Sequence, residues 1–259
     1  MQHATNVAAV FHTIIERPLL IFVVSFLTLW AATIVGALCG RRVPAPDANR
    51  QDTLKVVMGA TLTLLGLVIG FSFSMAVSRY DQRKIYEEDE ANAIGTELLR
   101  IELLPSAAGT TDLLKAYLAQ RTLFYEARDN RDLAEIAART SALQGRLWAA
   151  VREAAAAQPT PVVALATAGM NDVLNSQGYT QAAWSNRIPG GAWLLMCVIG
   201  VLSCLLAGYT SRAARPLVML PVVLAVAFFF ISDIDSPRHG VIRVVPQNLV
   251  SLSDSLRPR

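Results

Sequence analysis

The sequence predicts an all-α integral membrane protein: four transmembrane helices, with a helical extramembrane bundle inserted between the second and the third. Two observations predict it. The 259-residue chain is 53% hydrophobic, where soluble domains hold about 45–50% apolar residues, and the excess is gathered into four blocks. The stretch between the second and third blocks has ordinary soluble composition, with apolar residues recurring at three- and four-residue steps, the spacing of one helix face.

A helix crossing the hydrocarbon core needs roughly 20 apolar residues, because its backbone polar groups must be satisfied internally. The first block, about 19–39, starts after Pro18, where a missing N–H costs nothing, and is stopped by Arg41 and Arg42. It is too long for a cleaved signal, and no small-residue cleavage site precedes Arg41. The second, about 56–77, lies between Lys55 and Arg79. The third, about 192–209, carries Trp193 and Tyr209 as expected interfacial anchors. The fourth, about 217–231, is short, so Arg215 is expected to snorkel or the bilayer to thin, and Pro221 inside it is expected to kink it. The chain thus divides into an N-terminal transmembrane pair (1–78), a bundle (79–187), a C-terminal pair (188–232) and a polar tail (233–259).

No proline interrupts the chain from Val56 to Leu104, so the second span is expected to continue as one rod ending at Pro105, with Ile94, Leu98 and Ile101 on its apolar face. A second bundle helix spans about Thr111–Asp129, with Leu114, Leu118, Arg121 and Tyr125 on one stripe and Thr110 or Thr111 as cap. A third, Arg131–Ala157, follows Asn130 as cap; its core stripe is Leu133, Ile136, Thr140, Leu143, Leu147 and Val151. Pro159 and Pro161 break the chain before a fourth helix, about Val162–Trp184. Beyond the last span, Val241–Val245 reads as a short strand and Asn248–Leu256 as a short helix.

Several classes of chemistry are excluded. The net charge of +3 comes from interspersed acids and bases, which leaves no footprint for nucleic acid. Cys39, Cys197 and Cys204 sit in or at the edge of apolar blocks without Cys-x-x-Cys spacing, so neither a zinc site nor a disulfide framework is indicated. His3, His12 and His239 are scattered and form no ligand pair. No phosphate-binding glycine loop and no Gly-x-Ser-x-Gly elbow occurs. The expectation is a protein with no catalytic site, no metal and no cofactor, that is, not an enzyme.

Four features remain. Gly59, Thr63, Gly66, Gly70, Ser74 and Ser78 share one face of the second span, which suits either close packing between spans or the wall of an aqueous pore. Arg79, Asp81, Arg83 and Lys84 follow at its exit, either as an interfacial anchor or as a charged pore mouth. Asp233 and Asp235 follow the fourth span, where acids oppose the helix dipole. A partner is therefore expected among Arg79, Arg83 and Arg238, with a cation site as the alternative. The run Glu87, Glu88, Asp89 and Glu90 reads as a solvated helix face.

The stretch Leu64–Asp81, with Gly66, Gly70, Phe71, Phe73, Ser74, Ser78, Arg79 and Tyr80, is followed by Glu90-Ala91-Asn92-Ala93-Ile94-Gly95-Thr96. Together with Asp233-Ile234-Asp235-Ser236-Pro237-Arg238-His239-Gly240-Val241-Ile242-Arg243-Val244 it resembles a bacterial four-span family labelled bestrophin-like, and more distantly the bestrophins. That resemblance implies a homo-oligomeric anion channel in the lipid bilayer, with its pore lined by the second span, Phe71 and Phe73 as candidate neck aromatics, and small inorganic ions as cargo. It also implies a bacterial inner membrane location with termini and bundle cytoplasmic. Lysines and arginines flanking the spans are nearly balanced between the two sides, and their density alone would place the bundle outside. The alternative function is a membrane-anchored interaction or sensor module without transport activity.

Overall fold

The computed structural model describes residues 17–44, 47–104 and 107–257, without the side chains of Ala107 and Asn130. His3, His12 and Pro105 lie outside them. Among the described residues the chain is helical with no strand: α1 Pro18–Arg42, α2 Ala48–Ile101, α3 Ala107–Glu126, α4 Asn130–Ala157, α5 Pro161–Ser185, α6 Gly190–Ser211, a 3-10 turn Arg215–Leu217, α7 Met219–Asp235 and α8 Gln247–Ser255. Four helical stretches are long and apolar enough to cross a membrane, one in each predicted block. Two compact units result. One holds the chain up to Arg79 with Arg187–Arg243; the other holds Tyr80–Asn186 with the chain from Val244 onward. The tail read as one polar segment from 233 is therefore split between the units.

In the first unit α1 packs against α6 and α7. The α1–α6 contact is made by glycines. A Cβ at Gly36 or Gly40 would collide with the backbone of Leu205 or Tyr209, and one at Gly208 with the backbone of Thr33. Gly36 and Gly40 form the Gly-x-x-x-Gly spacing that lets helix backbones approach in lipid. Gly208→Val is expected to cost at least 1–3 kcal/mol, the usual penalty for overpacking, while Gly66→Ala, which meets open space, should leave the thermal midpoint in detergent unchanged. Equal midpoints for both variants would mean that this contact does not hold the unit together. At the C-terminal ends of α1 and α6, Arg41 Nε donates to Arg212 O (2.7 Å) and Arg212 Nη2 to Val43 O (3.1 Å). Arg212 caps α6 in the left-handed region, with φ 56°.

Three expectations for this unit are corrected. Trp193 does not stand out from the helix surface as expected: it is 2% exposed and packs edge-on against Phe228. Pro221 falls in the first turn of α7, where backbone N–H groups have no intrahelical acceptor, so it removes no hydrogen bond and gives no cause for a kink. The fourth helical stretch is longer than its apolar block, because the helix continues past Ile231 to Asp235 and, with the 3-10 turn before it, spans 21 residues.

In the second unit Ile94, Leu98 and Ile101 of α2, Leu114, Tyr117 and Leu118 of α3, Leu147 and Val151 of α4, Met170 and Val173 of α5 and Leu249 of α8 form one core. Thr160 caps α5, accepting from Val163 N (3.3 Å). The two caps read from the sequence differ from those observed. α3 begins at Ala107, so Thr110 and Thr111 lie inside it; α4 begins at Asn130, with Asp129 in the cap position and no side-chain cap bond. Val241–Val245 is not a strand, since the Val241 and Ile242 amides are bonded to a carboxylate (below).

Candidate functional site

The apolar part of α2 is unlike the other spans. Only 11% of its most apolar window is buried, against 28–44% in the other three. Leu65, Ser72 and Ala76 are its buried positions. Gly59, Thr63, Gly66, Gly70, Ser74 and Ser78 are all exposed, and a Cβ built on Gly59, Gly66 or Gly70 meets nothing within 4 Å. Among the described residues the glycines of the stripe therefore meet no other helix; the packing glycines are those of α1 and α6. Thr63 donates to Gly59 O at 2.9 Å, within its own helix. Phe71 and Phe73 are also exposed.

The charges after the stripe do not form one class. Asp81 and Lys84 are exposed, while Arg79 is half-buried with Nη1 enclosed and without a hydrogen-bond partner. Arg83 is buried and donates to Ala183 O (3.3 Å) on α5, which removes it from any exposed charged ring. Asp233 and Asp235 are buried in the last turn of α7. Asp233 accepts from Val241 N (2.7 Å) and Ile242 N (2.9 Å), and Asp235 accepts from Ile188 N (3.1 Å). Backbone amides thus supply positive charge to Asp233. The loop closes tightly because residue 240 is glycine: a Cβ there would strike Asp233 O. Arg238 is half-buried in the same loop.

The acidic run is not a solvated face. Glu88 and Asp89 are exposed, but Glu87 and Glu90 turn inward. Glu87 caps α8 from another helix, accepting from Asn248 N (2.9 Å), Leu249 N (3.0 Å) and Asn248 Nδ2 (2.6 Å). These are free donors of a helix N-terminus, where a carboxylate is also favoured by the dipole. Glu90 is paired with Arg121 through Nε and Nη2 and accepts from Tyr125 Oη (3.2 Å) and Thr180 Oγ1 (3.1 Å). Arg121 also lies over the Phe124 ring at 4.4 Å. Burial, reinforced by the Glu90 charge, pushes the Tyr117 and Tyr125 hydroxyls well above the usual tyrosine range. About two turns past Glu90, Glu97 is fully buried and neither of its oxygens has a hydrogen-bond partner. It faces Gly169, where a Cβ would collide with its carboxylate. Arg100 Nη1 stands 3.9 Å from both Glu97 Oε2 and Asp172 Oδ2. Desolvation raises the Glu97 pKa to about 8, against a smaller lowering by Arg100. No group of three or more metal-binding side chains occurs among the described residues.

The architecture and both quoted motifs fall within one family model. Residues 26–249 match the model described as the Bestrophin-like domain. The chain belongs to the bestrophin-like family. In fold, this bestrophin-like chain is similar to the crystal structure of a bacterial bestrophin homolog from Klebsiella pneumoniae bearing a point mutation. The TM-score is 0.58 at 13% identity, covering 90% of this chain and 98% of that one. No curated protein matches the chain. Membership of the family, with four helices able to cross a bilayer, points to a membrane protein and suggests a channel.

Proposed function

We propose that this bestrophin-like protein is an ion channel assembled from several copies, with α2 facing the common axis and anions as the conducted species. The observation that carries the reading is the small-residue stripe, exposed along α2, whose glycines meet no neighbour among the described residues. Glycine and hydroxyl positions leave room for a hydrated path, and a helix face with no partner in one chain is the face that other copies can surround. Arg79 and Lys84 beside the stripe favour anions over cations at its end. The Klebsiella relative supports the reading by name and fold. In this reading the termini and bundle are cytoplasmic, in a bacterial inner membrane. A membrane-anchored interaction module gains no comparable observation.

Purified protein in planar bilayers is expected to conduct, with chloride more permeant than sodium. Gly70→Trp is expected to lower unitary conductance at least tenfold without changing the oligomer's mass by native mass spectrometry. Silent bilayers under every ion gradient, with intact oligomers present, or a protein that is monomeric in mild detergent, would refute the channel.

A further inference from the structure

The transmembrane unit contains a crevice of about 140 Å³ among α1, α6 and α7, bordered by Val24, Ser25, Thr28, Trp193, Val201 and Phe228. Its lining is almost wholly apolar, and no charged side chain borders it. Trp193 is 2% exposed, and its indole N–H is buried without an acceptor. A buried indole N–H ordinarily finds a partner, because leaving it unpaired forfeits its hydration. The neighbouring hydroxyls do not supply one, since no acceptor lies within hydrogen-bond distance of the indole nitrogen; Ser25 Oγ and Thr28 Oγ1 bond instead to Phe22 O (3.2 Å) and Val24 O (2.8 Å) within α1. Water is a poor occupant, since it needs two to four polar partners and this crevice offers few.

We infer that the crevice holds one acyl chain of a membrane glycerolipid, with its ester carbonyl accepting from the Trp193 N–H. Depth supports this occupant. Trp193 lies near the start of α6 (Gly190–Ser211), so at about 1.5 Å per residue it sits only about 5 Å past the helix start, near the interfacial layer rather than mid-bilayer. Access supports it too, because Val24 and Thr28 are on the exposed side of α1, where lipid tails would lie. The inference requires only that the chain occupy a bilayer; it stands or falls independently of ion conduction.

The test is native mass spectrometry of the full chain in detergent doped with dioleoyl phosphatidylglycerol or with its di-ether analogue, which has the same tails and headgroup but no carbonyl. One ester lipid per chain is expected to survive collisional activation, with roughly fivefold weaker retention of the ether lipid, the size of one net hydrogen bond. Trp193→Phe should give the same loss for the ester lipid and abolish the ester–ether difference. Ser25→Leu, which fills the crevice while keeping the indole, should remove the retained lipid. If Trp193→Phe does not fold, the ester–ether pair and Ser25→Leu still decide. Equal retention of the two lipids, or retention undiminished by Ser25→Leu, would overturn the site. So would wild-type oligomers that retain no lipid, which would mean that a second copy fills the crevice.

Discussion

Arg121→Ala is expected to destabilise the bundle by about 3–5 kcal/mol, because it leaves a buried carboxylate without its cation. Glu90 would keep only the Tyr125 and Thr180 hydroxyls, in a core where α2, α3 and α5 meet. The pair itself is a different matter. Replacing both partners with apolar residues of similar size is often neutral, since two desolvation costs vanish together. Glu90→Leu with Arg121→Met should therefore recover most of the loss from Arg121→Ala. Denaturant unfolding of the detergent-solubilised chain, followed by circular dichroism, measures both. An Arg121→Ala protein within 1 kcal/mol of the parent would show that the pair contributes no such constraint.

The second large effect is a fall in stability with rising pH, set by Glu97. Its pKa is about 8 in the folded chain and 4.5 as an ordinary glutamate. Between those values the folded form holds a proton that the unfolded form has released. Raising the pH then favours unfolding, by up to about 1.4 kcal/mol per pH unit. The stabilisation is complete below 4.5 and is lost as pH climbs through 8. The groups facing the carboxyl work in opposite directions: Arg100 stabilises its charged form and Asp172 opposes it. Glu97→Gln, which cannot ionise, should flatten the thermal midpoint between pH 5 and 8.5 and make the variant the more stable protein at the alkaline end. Parallel profiles for the two proteins would mean that Glu97 is already ionised in the folded chain.

The sequence was informative about helices and much less so about what their polar residues do. Proline positions and apolar runs located all four apolar stretches and every bundle helix, because those signals act within one turn of the chain. The inward turn of Glu87 and Glu90 was hidden because their partners lie on other elements: Arg121 on α3, Thr180 on α5, Asn248 and Leu249 on α8. A signal was present in Arg121, an arginine on a stripe otherwise made of Leu114, Leu118 and Tyr125, which can be buried only with an acid beside it. Asp233 was hard to read for a related reason. Its donors are backbone amides, which carry no residue signature; only Gly240 hints that the chain folds back closely. The glycines teach the sharpest lesson. Gly36 and Gly40 on α1 and Gly66 and Gly70 on α2 have the same spacing, yet one pair is pressed against a neighbouring backbone and the other faces open space among the described residues. Spacing names a face without naming its occupant.

The cap that Glu87 places on α8 has a consequence for how each chain is made. Its carboxylate and the Asn248 amide are separated by 161 residues. At a synthesis rate of about 5–20 residues per second, Glu87 emerges roughly 8–30 s before the amides that will bind it. Throughout that interval an acid destined for the interior has only water to solvate it, and water must keep its place around that turn of α2. Closure around Glu87 thus waits for the synthesis of α8 rather than following the appearance of α2 itself.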